Sequence, residues 1–467
     1  MKHLIIFFIG LTAFFVSCIE DNGNYDYTEP ETPVVKIDSV YSVFVGDQLV
    51  IEPEVKFYNK DLLSFEWTII DPDQMTDHRY EGAKLDIFFA LGAKLYSARL
   101  AVTDKSNGMK YFFPFSIYGN TAFNEGTVLL TSNNGHGQLS FIKPDGVVQE
   151  NIYGNMYHED LPKLLQIVPL QHQNMTGKPY LGYWIISSDK ENPGVQIDAS
   201  NMTRIKFFRE NFFSIPKGEI AAGPFIPRDD ATMCGVVNGK FYTGAFETYY
   251  LSPAYGYFGT PIQGDYEVAP VLAASPDKTF VWGYNPVKKS LICFIPPGRL
   301  FFDATAMPGP PPVFDPANRG LELITLLPSN SAFYLFGKDN AGKIQELKFS
   351  TGGQMVITQY KREFSRPDLI RDDTKWILLP GLEVFYFTSG NKVYKYNPLN
   401  ESIEPISAQF ASNVSMLKTV SSEMIAVGEN GRLHWLDISV GHNGEIVQTI
   451  DGFEGEPVDI YIRKDLQ

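Results

Sequence analysis

Met424-Ile425-Ala426-Val427-Gly428-Glu429-Asn430-Gly431-Arg432-Leu433-His434-Trp435-Leu436 is an apolar run, an Asn-Gly turn and an amphipathic run. Asn-Gly between two such runs is a strong hairpin signal, because both residues reach the positive φ that a tight two-residue turn demands. Two short strands joined this way do not bury a face by themselves, so the question is whether the unit repeats.

It does. The same theme stands at Val384-Phe385-Tyr386-Phe387-Thr388-Ser389-Gly390-Asn391-Lys392-Val393-Tyr394-Lys395-Tyr396, and from Phe333-Tyr334-Leu335-Phe336-Gly337 to Ile344-Gln345-Glu346-Leu347. Further upstream it recurs at Thr279-Phe280-Val281-Trp282-Gly283-Tyr284-Asn285-Pro286, Val236-Val237-Asn238-Gly239-Lys240-Phe241-Tyr242 and Tyr183-Trp184-Ile185-Ile186. The first copy is Glu125 to Ser132, turning through Asn133-Asn134-Gly135-His136-Gly137 into Gln138-Leu139-Ser140-Phe141-Ile142. Seven copies spaced by roughly 40 to 55 residues are what radial four-stranded blades leave in a sequence. Residues 121–467 therefore read as a β-propeller of seven blades, with a large sandwich or a solenoid as the competing architectures. Trp435-Leu436-Asp437 is a loose echo of a Trp-Asp repeat, and Asp160 to Val168 is the one stretch that reads as a helical turn or two.

Residues 34–119 have a different texture. Val34 to Ile37, Phe44 to Ile51, Ser64 to Ile70 and Ser97 to Asp104 alternate with period two between turn residues, and Ser106-Asn107-Gly108 signals a hairpin into Tyr111 to Phe115. Roughly seven short strands here fit an immunoglobulin-like sandwich with Trp67 at its centre, though without the cysteine pair of antibody domains. The fold class is thus all-β, a sandwich followed by a propeller.

Ahead of both, Lys2 and His3 precede an apolar run from Leu4 to Val16, then Ser17 and Cys18. The run falls short of the roughly 20 residues that span a bilayer, so residues 1–17 read as a signal peptide. The pattern resembles a bacterial lipoprotein signal, in which Cys18 becomes the acylated N-terminus. More than one acyl chain gives a stable anchor, at about 0.8 kcal/mol per buried methylene. Residues 18–33 form an acidic, Pro-containing tether, and Glu20-Asp21 just after the cysteine resembles the surface-export signal of Bacteroidetes lipoproteins.

Gly46-Asp47 before a strand, Phe65-Glu66-Trp67 in mid-domain and Leu100-Ala101-Val102-Thr103-Asp104 near the end look like a PKD-type sandwich. With Asn22-Gly23-Asn24-Tyr25-Asp26-Tyr27 after Cys18, the chain resembles the PKD-like lipoproteins of Bacteroidetes. At the place of the usual Gly-Asp-Gly it carries Ile70-Asp71-Pro72-Asp73. The resemblance implies a lipid-anchored protein on the outer face of the outer membrane, accessory to a Sus-type nutrient importer built from a TonB-dependent barrel and its lid lipoprotein. It further implies a glycan or peptide ligand.

Composition bounds the alternatives. A net charge of −15 without a basic stripe excludes nucleic acid as an expected partner. Of three cysteines, Cys234 and Cys293 lie in apolar strands and read as buried free thiols, with pairing as the alternative. The histidines stand in no zinc-protease or serine-hydrolase motif, so a binding role is expected over catalysis, with a surface-anchored propeller hydrolase or lyase as the alternative and a structural or adhesive module as a third.

Three places carry candidate chemistry. Tyr249, Tyr250, Tyr255, Tyr257 and Phe258 form an aromatic loop between two blade copies, suited to stacking on sugar faces or peptide side chains, or else to filling interblade core. Asp71, Asp73 and Asp77 bring three carboxylates into one loop, where a hard cation such as calcium finds oxygen ligands or water simply solvates a turn. No other cofactor is expected. Asp229-Asp230 and Asp372-Asp373 are neighbours on a strand, point to opposite faces, and cannot each form a glycosidase couple.

Overall fold

The computed structural model describes residues 30–45, 47–71, 76–175, 178, 180–248, 252–317, 320–379 and 381–464. Cys18 and the tether up to residue 29 lie outside the described residues, as do Asp73, Tyr249 and Tyr250.

The N-terminal unit is a sandwich. Its larger sheet has five strands in the spatial order Val40–Phe44, Lys110–Asn120, Leu95–Asp104, Leu63–Asp71 and Thr76–Glu81, the first running parallel to the second. Gln48–Ile51 paired with Leu85–Phe88, and Val34–Lys36 paired with Glu54–Lys56, cover its inner face. Among the described residues the domain thus has nine strands where the alternation pattern suggests roughly seven; a three-residue strand such as Glu54–Lys56 is too short to show a period. Trp67 is fully buried among Leu49, Ile51, Leu85, Leu100 and Phe115, and its indole N–H donates to the Gly82 carbonyl at 2.8 Å. A ring this large brings one polar atom into the core, and that bond satisfies it.

From Gly126 on, the described residues form seven sheets arranged as blades, antiparallel except that the short Thr305–Ala306 adds parallel to Met355–Glu363 at the edge of the fifth. Blade two is Leu164–Gln171, Tyr180–Ser187, Gly194–Ile197 and Arg204–Phe207; blade three has only Ala222–Pro227, Met233–Val237 and Lys240–Thr243. Blades four to seven have their second strands at Val281–Asn285, Phe333–Lys338, Val384–Ser389 and Met424–Glu429. Blade one combines Gly126–Asn133, His136–Ile142 and Val148–Gln149 with Glu456–Arg463 from the far end of the chain, which pairs antiparallel to Gly126–Asn133 as the innermost strand.

The blades form a closed cycle, and the cores prove it. Val128, Leu130 and Phe141 pack with Ile167, Tyr183 and Ile185 between blades one and two. Equivalent cores lie between two and three, three and four, four and five, five and six, and six and seven. The seventh joins Leu129, Ile142 and Ile460 of blade one to Met416, Ala426 and Trp435 of blade seven. Side chains alternate across a strand, so Val128 and Leu130 enter one core while Leu129 between them enters the other. A central blade strand is therefore apolar at consecutive positions because both its faces are covered. Each of the seven sequence copies supplies part of the central pair of one blade, and the seven-bladed reading holds.

The helical expectation for Asp160 to Val168 does not. A short helix instead occupies Ile152–Tyr157, with the Asn151 side chain capping the Gly154 N–H, and Leu164–Gln171 is the innermost strand of blade two. Both stretches are short and apolar, and at that length helix and strand periods are not separable.

In blades two to seven the first-to-second strand turns, and the third-to-fourth turns where a fourth strand is present, emerge at one end of the ring. The chain enters blade one at that end, where Gly126 faces Arg463, and the Thr121 hydroxyl there donates to the Ser200 carbonyl of blade two.

A candidate ligand cleft between blades two and three

Among the described residues blade three has no fourth strand; Lys240–Thr243 is followed in the strand order by Ala273–Ala274 of blade four. Phe258 pins the loop between them. It bridges the backbones of Phe212 and Gly244, and its fully buried ring packs with Phe208, Phe212, Phe225 and Tyr242. Phe258 is thus an anchor in the interblade core, the second of the two roles open to this loop.

The anchored loop folds back over the edge of blades two and three and walls a cavity of about 210 Å³. Leu170, Trp184 and Met233 form its apolar side, Gln196, Lys206, Asn211 and Thr232 its polar groups, and Ser252, Pro253, Tyr255 and Gly256 its rim. Tyr255 donates to the Asp230 carbonyl at 2.5 Å, and burial pushes its phenol up to about 12. Tyr257 meets Phe213 in a tilted contact at 5.6 Å and also meets Lys206, whose Nζ lies 4.3 Å from the ring centre and 5.7 Å from that of Trp184. Burial in this aromatic surround brings the Lys206 ammonium down to about 8, since a desolvated cation is disfavoured even when ring faces partly compensate.

Asp229 and Asp230 stand beside the cleft, both engaged. Asp229 pairs with Lys278 at 2.6 Å; Asp230 pairs with Arg228 at 2.8 Å and accepts from the Thr232 hydroxyl at 2.6 Å. Asp372 and Asp373 are exposed.

Of the three acids of the sandwich, Asp71 and Asp77 are described, and they stand apart. Asp71 is buried on the inner face and takes Lys94 Nζ at 2.8 Å, whereas Asp77 pairs opposite Ile70, faces outward and meets Arg79 at 3.4 Å. Among the described residues no group of three His, Cys, Asp or Glu stands close enough to hold a metal ion. Cys234 and Cys293 are buried free thiols.

Trp184, Gln196 and Lys206 have no counterpart among the sequence candidates. Trp184 sits inside an apolar run that serves the core, and Arg204-Ile205-Lys206 shows only ordinary strand alternation. What singles them out is the loop that covers them, from a segment some fifty residues away.

The fold and cleft define a two-part β-protein, a sandwich leading into a closed seven-bladed propeller with one rebuilt blade. Compared with known proteins, residues 18–163 match the PKD-like family, which takes in the sandwich and the start of the propeller. No curated protein matches the chain. Among solved structures it is similar to one described as "Structure of Dos1 propeller", at a TM-score of 0.40 and 12% identity, covering 71% of this chain and 85% of that one. Among the described residues no helix is long and apolar enough to cross a membrane.

Proposed function

We propose that this chain is a lipid-anchored, outward-facing outer-membrane protein, tethered through Cys18, that serves a Sus-type importer by binding its nutrient at the propeller cleft. The sandwich acts as a stalk, and the TonB-dependent barrel with its lid lipoprotein is the partner. The observation that carries the binding role is the loop of blade three, held down by Phe258 so that Tyr255 walls a concave site between two rigid blades. Concave, partly apolar sites with a few polar groups are where small ligands bind, and a loop on a rigid scaffold suits that role. The role is binding rather than turnover: the two acids beside the cleft are held in ion pairs with Lys278 and Arg228.

Calorimetry against a panel of glycans and peptides tests the binding role. The expected outcome is a ligand whose affinity falls at least about tenfold in Tyr255→Ala, the scale of one lost aromatic contact. Product release from any panel member would instead favour a surface hydrolase or lyase. Affinity purification from detergent-solubilised outer membrane tests the partner; copurification of a TonB-dependent barrel is expected, and its loss in Cys18→Ala would tie the association to the anchor.

A further inference from the structure

We propose that the cleft between blades two and three takes a single uronic acid ring, with its carboxylate on Lys206 Nζ and its hydroxyls on the Gln196 amide. This rests on the reading of the cleft as a ligand site and names the ligand's chemistry.

Size comes first. About 210 Å³ is below the roughly 300–1,000 Å³ of sites for drug-sized molecules, so the cleft holds one ring rather than a stretch of polymer.

Most of its polar groups are already committed. Asn211 donates to the Gly256 carbonyl at 3.0 Å, the Thr232 hydroxyl to Asp230 at 2.6 Å, and Tyr255 to the Asp230 carbonyl at 2.5 Å. The Ser252 hydroxyl on the rim accepts the Ala254 N–H at 3.4 Å, which leaves Gln196 and Lys206 without a side-chain hydrogen bond to another described residue. Gln196 is nine-tenths buried and its amide makes no hydrogen bond to another described residue, although it lines the cleft. An amide at the cleft wall with open donors and an open acceptor can make both kinds of bond to a ligand, and neighbouring hydroxyls of a sugar offer both.

Lys206 supplies the charge. Its ammonium lies against Tyr257 and Trp184 with no carboxylate of the described residues within ion-pair distance. Glu210 is the acid that acts on it, but Glu210 Oε2 is taken by the Phe207 N–H at 2.7 Å. A cation this dry gains most from a ligand that brings its own anion, through a charge-assisted hydrogen bond. The apolar wall of Leu170, Trp184 and Met233 then meets the C–H face of the ring. A neutral hexose would leave Lys206 unanswered, and an extended peptide would need a longer groove.

The pH dependence follows. The ligand needs protonated Lys206, which burial holds near 8, so affinity is full below that value and falls as pH rises through it. Glu210, on the turn after its strand, is the charged group that acts on Lys206, and Tyr257 lies against it; Tyr255 lines the same cleft and bonds to Asp230, which Arg228 pairs. Tyr255 sits at about 12, and Asp230 is held below its ordinary value despite its burial by Arg228 and Thr232, so neither changes charge in that window.

Calorimetry and saturation-transfer NMR on the whole chain, with glucuronate and galacturonate against glucose and galactose, test this. The uronates are expected to bind at least about tenfold tighter than the matching hexoses. That preference should vanish in Lys206→Met, persist in Lys206→Arg, and weaken between about pH 7.5 and about pH 9.5. Equal binding of hexose and uronate, sensitive to Tyr255→Ala, would overturn the uronate assignment and leave the cleft as a sugar site. A preference that survives Lys206→Met, or binding of a peptide in place of any sugar, would also overturn it. If neither sugars nor peptides bind, the assignment and the ligand-site reading fail together.

Discussion

Asp459 Oδ2 accepts the backbone N–H of Ile167 at 2.9 Å, although 292 residues separate the two in sequence. Its other oxygen takes Lys418 Nζ at 2.5 Å. Ile167 lies on the innermost strand of blade two, Lys418 on that of blade seven, and Asp459 on the closing strand between them. One buried carboxylate thus ties three neighbouring blades at the place where the two ends of the propeller meet.

The seam is therefore expected to be the weak point of the ring. Asp459→Ala leaves the Ile167 N–H and the Lys418 ammonium without their partner and should cost about 1–3 kcal/mol, read as a lower urea midpoint. Gly428→Ala attacks the same seam by crowding, since a Cβ there would meet Pro457 Cβ at 2.5 Å. Chains ending before Glu456 should lose the cooperative unfolding transition.

Glu346 is fully buried between blades five and six. It accepts two bonds from Arg362, at 3.0 Å each, and one each from Tyr360 and Tyr396 at 2.5 Å. Removing one side of such a pair strands a buried charge, so Glu346→Ala should lower stability by about 3–5 kcal/mol. A joint replacement of Glu346 and Arg362 by apolar residues should cost less than Glu346→Ala alone, a result that a double-mutant cycle in urea would read directly.

Acid should destabilise the propeller through a small set of carboxylates. Burial alone would raise Glu383 and Glu429, but hydrogen bonds from Lys348, Tyr334 and Ser329 to the first, and from Ser412 and His434 to the second, outweigh it and hold both below the ordinary 4.5. A depressed folded value means the contribution is complete above the unfolded value and is lost as pH falls through the folded one. The denaturation midpoint is expected to stay level down to about pH 5 and then drop, with a shallower drop in Glu383→Gln and Glu429→Gln.

Burial pushes the thiols of Cys234 and Cys293 up to about 12. Thiolate is the reactive form, so a Cys18→Ser chain should take up no thiol reagent when native at neutral pH and two equivalents once unfolded. A single equivalent in the native state would show that one of these strands opens without global unfolding.

How much of this was legible in sequence depends on burial geometry. The central pairs of the blades could be read because two flanking cores require apolar residues at consecutive positions, as in Val281–Asn285, which is buried throughout. Outermost strands can have neither face covered: Glu445–Ile450 is exposed at every position but the last, and nothing in it announces a strand. The aromatic loop stood out as a candidate, yet its rings split by role only on folding, Phe258 into the core and Tyr255 onto the cleft.

The amino-acid sequence by itself determined the class of this protein and the number of its blades, since alternation and repetition are local consequences of strand geometry and can be counted without knowing what packs on what. Which strand closes the ring, and which lysine and glutamine share a cleft with Tyr255, only the tertiary structure decided. Those relationships join Asp459 to Ile167, and the loop of blade three to the face of blade two, across long intervals of chain. They arise from the way seven sheets wrap around one axis, and no local periodicity records that wrapping.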